Sequence, residues 1–174
     1  MRLAALLLLC APALAQSDAD TALERLLADE FESMMRTWPR WASERGDPRF
    51  DDQLEDLSEQ ARLDRLEHTA LRRKALADID VAKLSERNRA NFALFDYERA
   101  LRLSNARFHP EQTPVSQQNG PQIGLPQMAS QLNIKTPEQF ANFFTRLEAV
   151  PTLVDQYIAN LRAGLAACRV PPRL

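Results

Sequence analysis

Residues 18–35 read DADTALERLLADEFESMM, and this stretch decides the fold class. Its apolar side chains recur at steps of three and four residues, which is the spacing of one face of an α-helix. Charged side chains such as Glu24, Arg25 and Asp29 occupy the other face. The pattern therefore predicts an amphipathic helix whose apolar face is buried. That face consists of Leu23, Leu26, Leu27, Phe31, Met34 and Met35.

Two breaks follow this first helix. Pro39 interrupts the sequence TWPRW at residues 37–41, and Gly46 is followed by Asp47 and Pro48. Proline lacks the amide donor that a helix interior needs, and glycine accepts the left-handed conformation that often ends a helix. We therefore expect a kink near Trp38 and a helix end at Gly46.

Two further helices begin at serine residues. Ser58 and Ser85 are placed as N-caps, because a serine hydroxyl can accept hydrogen bonds from the free amides of a first turn. Asn105 marks the expected end of the second of these helices. The predicted buried stripe of the first is Leu63, Leu66, Leu71, Leu76 and Ile79, and the second contains Phe92, Phe95, Leu101 and Leu103.

The periodicity disappears between residues 108 and 135, where proline, glycine and glutamine are frequent. Irregular segments longer than about 12–15 residues are uncommon in compact chains and tend to be functional or disordered. Two interpretations stay open for this segment. It is either a mobile surface connection or an ordered loop that packs along a groove.

The sequence after this loop has the clearest helix start in the chain. Thr136 is the expected N-cap, Pro137 suits the first helical position, and Gln139 completes a capping box. The apolar face that follows is Phe140, Phe143, Phe144 and Leu147. Pro151 either ends this helix or begins a fifth. Because no alternating strand pattern occurs, we predict an all-α fold. The architecture expected is an irregular bundle of about five helices with one long loop, as part of a larger helical fold.

Composition narrows the classes of function. The 174 residues are 45% hydrophobic and 26% charged, with a formal net charge of −2. These values are typical of a globular chain and exclude collagen, low-complexity disorder and a disulfide-rich miniprotein. The charge balance provides no basic surface for a nucleic acid. The length allows one domain or part of one.

The amino terminus resembles a secretory signal peptide. Arg2 precedes the apolar run 3–9, and residues 13–15 fit the small-x-small cleavage pattern. We expect residues 1–15 to be removed after Ala15, giving a periplasmic or secreted protein that does not stay in the membrane. Cleavage removes Cys10 and leaves Cys168, which we expect to be a half-buried thiol near a helix end.

Candidate catalytic groups are few. The two histidines, His68 and His109, are not at zinc-peptidase spacing, so we expect both to face solvent. Acidic residues in the ranges 51–56 and 78–80 are expected to be solvated or to cap helices. No phosphate-binding glycine loop or Gly-x-Ser-x-Gly nucleophile elbow is present. The sequence therefore predicts no catalytic, cofactor-binding or metal-binding residue in this chain.

A set of short motifs, taken in order, nevertheless resembles a known family. After the kinked first helix come GDPRFDD at 46–52, DLS at 56–58, Ile79-Asp80, Leu84-Ser85, TRL at 145–147, Val150-Pro151, LRAG at 161–164 and PPR at 171–173. In this order and spacing the chain resembles the bacterial domain of unknown function 885 family. The resemblance spans most of residues 16–174.

This resemblance carries several expectations. Family members are largely helical, secreted or lipid-anchored, and grouped with zinc-dependent metallopeptidases through a His-Glu helix in their later portion. Residues 16–174 would then be the N-terminal helical part, either a natural truncation or an incomplete gene model. Zinc is expected only in the missing C-terminal portion, so no catalytic residue carries over.

The expected role of the chain is to form the wall or lid of a substrate cleft, with the 109–135 loop as its main contribution. The partner implied is a peptide or small-molecule substrate of the full-length protein. We expect residues 16–174 alone neither to bind zinc tightly nor to cleave peptides. The alternatives are a non-catalytic helical interaction module or a non-functional fragment.

Overall fold

Seven α-helices make up the regular structure of the described part of the chain. The computed structural model describes residues 17–131 and 134–170, and no strand occurs among them. The all-α prediction is confirmed. The predicted signal peptide and the last motif, at 171–173, lie outside the described residues. The helices are α1 (Asp18–Thr37), α2 (Pro39–Glu44), α3 (Glu59–Ala77), α4 (Glu86–Asn105), α5 (Pro121–Gln131), α6 (Pro137–Glu148) and α7 (Val150–Ala166).

The predicted helix starts are confirmed. Ser58, Ser85 and Thr136 each accept a hydrogen bond from the backbone N–H three residues on, at 3.2, 3.4 and 3.2 Å. The side chain of Gln139 accepts in return from the Thr136 N–H at 3.2 Å, which completes the capping box. Pro151 belongs to the first turn of α7, so it begins a helix rather than ending one.

The predicted kink and helix end are also present. Trp38 separates α1 from α2 with φ −128° and ψ 71°, and Pro39 opens α2. Gly46 follows α2 with φ 82°, in the left-handed region. Two turns therefore redirect the chain between α1 and α3.

Replacing Gly46 by Val should lower the free energy of unfolding by about 1–2 kcal/mol, because a β-branched residue resists positive φ. No atom lies within 4 Å of the position that a Cβ would take, so the cost is conformational rather than steric. Gly46→Asn is the control, since asparagine tolerates this region. Urea denaturation measures both variants. Equal stability of the Val and Asn variants would contradict the assignment.

The apolar core lies where α1, α3 and α4 meet. Its fully buried members are Leu23, Leu26, Leu76, Leu84 and Phe95, and Leu27, Ile79 and Phe92 pack partly buried against them. The prediction was wrong for three other side chains. Phe31, Leu63 and Leu71 are 46%, 45% and 58% exposed. Spacing identifies an apolar face, but only the part of that face that meets a neighbouring helix is covered.

A polar contact joins α1 to the start of α4. The buried carboxylate of Asp20 accepts hydrogen bonds from the Ser85 N–H at 3.0 Å, the Ser85 hydroxyl at 3.1 Å and the Asn88 amide at 2.8 Å. The backbone hydrogen bond from Ser85 is the main cause that lowers the pKa of Asp20. Asp20 therefore adds a capping group from another helix to the Ser85 cap.

The segment predicted as one long loop contains helix α5. This helix begins at Pro121 and carries Pro126 in its interior, with Met128 only 2% exposed. Pro126 lacks the amide donor of one helix hydrogen bond, and a proline inside a segment normally argues against a helix. The sequence pattern therefore does not predict α5. The buried Met128 and contacts between α5 and α2 hold it in place. In the described part of the chain, no helix has the length and apolar content required to cross a membrane.

Helix α6 packs with a charged residue inward. Arg146 is 1% exposed, whereas Phe140, Phe144 and Leu147 on the predicted apolar face are 53%, 50% and 38% exposed. The Phe140 and Phe144 rings touch edge to face, with centroids 4.8 Å apart. The apolar face of α6 is thus largely open to solvent.

Candidate functional site

A cavity of about 590 Å³ lies beside the core, between α1, α3, α4 and residues 106–111. Its apolar wall consists of Met34, Trp38, Leu66 and Leu101. Met34 and Trp38 come from the last turn of α1 and its kink, so the break at Pro39 shapes this wall. A cavity of this size with an apolar wall suits a small ligand.

The polar part of the same cavity is dominated by arginine. Arg62 and Arg65 come from α3, and Arg99 and Arg102 come from α4. Each pair is spaced three residues apart, which places both members on one helical face. We call this cavity the arginine pocket. Glu98 and Glu111 are the carboxylates that line it, so four cationic side chains face two anionic ones.

The four arginines differ in their partners. Arg62 forms an ion pair with Glu59 at 2.6 Å, and buried Arg99 forms one with Glu30 at 3.2 Å. Arg65 donates to the Asp56 backbone carbonyl at 2.7 Å. Within residues 17–131 and 134–170, neither Arg65 nor Arg102 forms an ion pair with a carboxylate. Two of the four guanidinium charges are therefore not matched by a direct counter-ion from these ranges.

The electrostatic environment reflects this imbalance. Burial lowers the pKa of Arg65; Asp56 raises it, and the charges of Arg102 and Arg62 lower it further. Burial likewise lowers the pKa of Arg102, with Arg99 adding to the effect and Glu30 and Glu98 opposing it. The pocket thus disfavours the positive charges of Arg65 and Arg102, whereas the hydrogen bond to Glu59 raises the pKa of Arg62.

A smaller cavity of about 330 Å³ adjoins the arginine pocket and shares Met34, Trp38, Arg65 and Arg102 with it. Glu30 and His68 line this second cavity. The Glu30 carboxylate is 7% exposed, and its Oε2 atom lies 3.7 Å from His68 Nδ1 and 3.6 Å from Arg72 Nε. Neither that oxygen nor Arg99 Nε has a hydrogen-bond partner among the described residues.

Ser33, His68 and Glu30 stand in a row that resembles a nucleophile, base and acid. Ser33 Oγ is 3.5 Å from His68 Nε2, the ring nitrogen that would have to accept the serine proton. Arg72 Nε, however, donates to the same nitrogen at 3.2 Å. Because its lone pair is already engaged, the imidazole cannot act as a base toward Ser33 in this arrangement. The three side chains instead adjoin an ion-pair cluster in which Glu30 pairs with Arg72 and Arg99.

The prediction that both histidines face solvent holds only in part, because 37% of the His68 side chain and 29% of the His109 side chain are exposed. His68 is half-buried in the cluster with Glu30 and Arg72. His109 adopts φ 51°, and its Nδ1 lies 2.9 Å from Glu111, a residue of the arginine pocket. In both places the imidazole ring lies against a carboxylate of the protein and is partly covered. The spacing of residues in the sequence does not predict these contacts.

Cys168 also differs from its prediction. It follows α7 with φ 56° and is exposed rather than half-buried. A left-handed residue after a helix turns the chain away, and here this leaves the thiol in solvent.

The acidic residues of range 51–56 divide into two groups. Asp56 is exposed, as expected, and accepts from the N–H of the N-cap residue Ser58 at 2.8 Å. Glu55 is instead 6% exposed and is bound by Arg40, and Asp51 accepts from Ser43 and lies 3.7 Å from buried Arg146. Nothing in the local sequence indicates these pairs, because carboxylate runs are usually solvated. Among the described residues, no group of three or more His, Cys, Asp or Glu side chains could hold a metal ion.

The arginine pairs were the one site feature visible in the sequence. Two Arg-x-x-Arg spacings occur, at 62–65 and 99–102, but nothing local shows that α3 and α4 bring them together. This adjacency appears only in the structure, where α3 and α4 pack against each other.

Comparison with known proteins assigns the chain to a family. Residues 39–174 match the family model described as "Bacterial protein of unknown function (DUF885)". The match begins at Pro39, so α1 lies outside it although the kinked first helix was part of the resemblance. Neither a curated protein nor a solved structure matches the chain. Because the match covers most of its length, the chain belongs to this family of bacterial proteins.

Proposed function

We propose that this chain is the N-terminal, non-catalytic helical region of a secreted or periplasmic metallopeptidase-like protein and that it forms a wall of the substrate cleft. Family membership supports this proposal, as do the signal-peptide pattern in residues 1–15 and the motifs in the matched range. The zinc and its ligands would belong to a later portion of the full-length protein. The chain itself would bind substrate without cleaving it.

The observation that carries this proposal is the arginine pocket. Its apolar wall and its charged residues face one cavity of about 590 Å³, which is large enough for a few residues of a peptide. The predicted loop contributes to it in part. Pro110 and Glu111 line the pocket, whereas the described residues of α5 do not line it and α5 contacts α2 instead.

A test uses the position of Trp38 in the pocket wall. The chain contains two tryptophans, Trp38 and Trp41, so Trp41→Phe leaves Trp38 as the only tryptophan reporter. Titration of this variant with a pool of short peptides should give a saturable change in fluorescence and no cleavage products. The expected reason is that a bound peptide displaces water from the indole of Trp38.

The matched control is Trp38→Phe. Its remaining tryptophan, Trp41, does not line the arginine pocket. It should show no comparable response to the same peptides. An unresponsive Trp38, or an equal response from both variants, would contradict the proposed cleft wall.

A second candidate function is a self-sufficient helical interaction module. The exposed apolar face of α6 favours it, since large exposed patches often mark interaction sites. A chain that is monodisperse and unfolds cooperatively would support the module. Self-association without a cooperative unfolding transition would support the larger protein instead, because the apolar helical faces would then lack their covering part.

A further inference from the structure

We infer that the arginine pocket binds a carboxylate group between Arg65 and Arg102, with an apolar residue of the same ligand against Trp38. This inference rests on the proposed function, because it names the chemical group by which the cleft wall would hold a peptide.

The first argument is the distribution of charge partners. Arg62 and Arg99 are neutralised by Glu59 and Glu30, whereas Arg65 and Arg102 form no ion pair within the described ranges. They come from adjacent helices and line the same cavity. Guanidinium groups offer paired N–H donors that match a carboxylate, so two of them can hold one anion from two sides.

The second argument is the electrostatic environment of Arg65 and Arg102. Burial lowers the pKa of both Arg65 and Arg102; the charges of Arg102 and Arg62 lower that of Arg65 further, and the charge of Arg99 lowers that of Arg102. An anion placed between them would reverse this repulsion. The ligand charge is therefore expected to be negative.

The third argument favours a ligand that carries both a carboxylate and an apolar side chain over an inorganic anion. The Arg65 guanidinium lies 5.3 Å from the centroid of the Trp38 ring, so the charged and apolar parts of the pocket adjoin. Leu101 is 44% exposed and faces the same cavity. Inorganic phosphate would fill the charged part and leave the apolar wall in water, whereas the end of an apolar peptide would cover both.

The experiment compares two probes that differ only in this group. Isothermal titration calorimetry with acetyl-Ala-Leu carrying a free carboxylate should show binding, and the same dipeptide as its amide should bind at least about tenfold more weakly. Equal binding of both probes would overturn the carboxylate inference and leave the cleft wall intact. Absence of binding by either probe, together with an unresponsive Trp38, would overturn both.

Two more probes distinguish the source of the anion. Acetyl-Ala-Glu-amide offers a side-chain carboxylate, and its binding would support the same site with a wider choice of peptide. Inorganic phosphate should bind more weakly than the free dipeptide. Phosphate binding as tightly as the dipeptide would contradict a role for the apolar wall.

Variants locate the contact. Arg102→Gln should weaken binding of the free dipeptide about tenfold and leave the amide unaffected. Arg65→Gln should act in the same way, although it also loses the bond to the Asp56 carbonyl. Arg102→Gln is therefore the cleaner test of the site, and thermal melting verifies the fold of both variants.

The matched control is Arg87→Gln. Arg87 is exposed on the first turn of α4, fifteen residues and about 22 Å along the helix from Arg102. The Arg87→Gln variant should bind both probes with the affinity of the unsubstituted chain. If Arg102→Gln binds as tightly as Arg87→Gln, the assigned position of the carboxylate is wrong.

Discussion

Replacing Arg146 by Met should lower the free energy of unfolding by about 3–5 kcal/mol, because it removes one partner of a buried charge network. The Arg146 side chain is 1% exposed and donates to the Phe50 carbonyl at 2.7 Å and to the Ser43 hydroxyl at 2.9 Å. Asp51 lies 3.7 Å away and is itself largely covered. Methionine fills much of the space but removes the positive charge beside Asp51 and the donor to Ser43 and Phe50. The Phe50 carbonyl then keeps only its hydrogen bond from the Gln53 N–H, at 3.0 Å.

The cost of keeping Arg146 buried is visible in its electrostatics. Burial lowers its pKa, and Asp51 and Glu55 oppose that shift. Its Nε atom has no hydrogen-bond partner among the described residues. The network therefore stabilises the fold through the bonds that join α6 to Ser43 and Phe50, and removing the guanidinium loses all of them at once.

Urea denaturation of the unsubstituted chain, Arg146→Met and Arg146→Lys measures this effect. Lysine keeps the charge but lacks the planar arrangement of donors, so we expect an intermediate loss. A variant Arg146→Met within about 1 kcal/mol of the unsubstituted chain would mean that hydrophobic packing compensates for the lost network, as has been seen for other buried ion pairs.

The parts of the fold that could be predicted are those encoded by local chemistry. Ser58, Ser85 and Thr136 cap helices because a short polar side chain reaches the free amides of its own first turn. Gly46 ends α2 because it tolerates positive φ. Such signals depend on only a few neighbouring residues, so they can be predicted without knowledge of the tertiary structure.

The buried charges could not be predicted in the same way. Charged residues usually face solvent, and Arg146, Glu30 and Arg99 lie on helices that look ordinarily amphipathic. Each is buried because a partner from another helix or loop meets it. Glu30 and Arg99 are 69 positions apart, and their ion pair exists only because α1 and α4 pack together.

The candidate site depends on the same long-range packing. The arginine spacings in α3 and α4 can be read from the sequence, but the cavity also needs the kink at Trp38 and the turn at Pro110. Helix α5 was not predicted for a different reason. Its interior residue Pro126 is normally a sign against a helix, but the loss of one amide donor does not prevent the helix from forming. Local signals therefore predict most helices and leave the site to the structure.

Helix α7 makes a close backbone contact at Gly164, and a larger side chain at this position should strongly lower the free energy of unfolding. Gly164 is buried in α7 against the 3₁₀ turn Pro110–Gln112. A Cβ atom on Gly164 would lie 2.6 Å from the Gln112 carbonyl oxygen and 3.0 Å from the Gln112 Cβ. Neither atom can move without moving the turn, and Arg169 ties Gln112 to the end of α7 through a 2.6 Å hydrogen bond.

Gly164→Val should therefore lower the free energy of unfolding by about 3 kcal/mol, because overpacking of a rigid contact outweighs the better helix propensity of valine. Gly124→Val is the matched control. A Cβ on Gly124 meets only the Arg40 Nη1 atom, at 2.9 Å, and the bonds from Arg40 to Glu55 use Nε and Nη2 instead. Its expected loss stays within about 1 kcal/mol.

The same substitution links stability to the arginine pocket. The turn that Gly164→Val displaces carries Pro110 and Glu111 into the pocket wall. At a temperature where the variant is still folded, its affinity for the free acetyl-Ala-Leu probe should fall together with its stability, whereas Gly124→Val should keep both. Equal unfolding curves for the two variants would show that α7 and the turn can separate freely, and the close contact at Gly164 would then have no structural role.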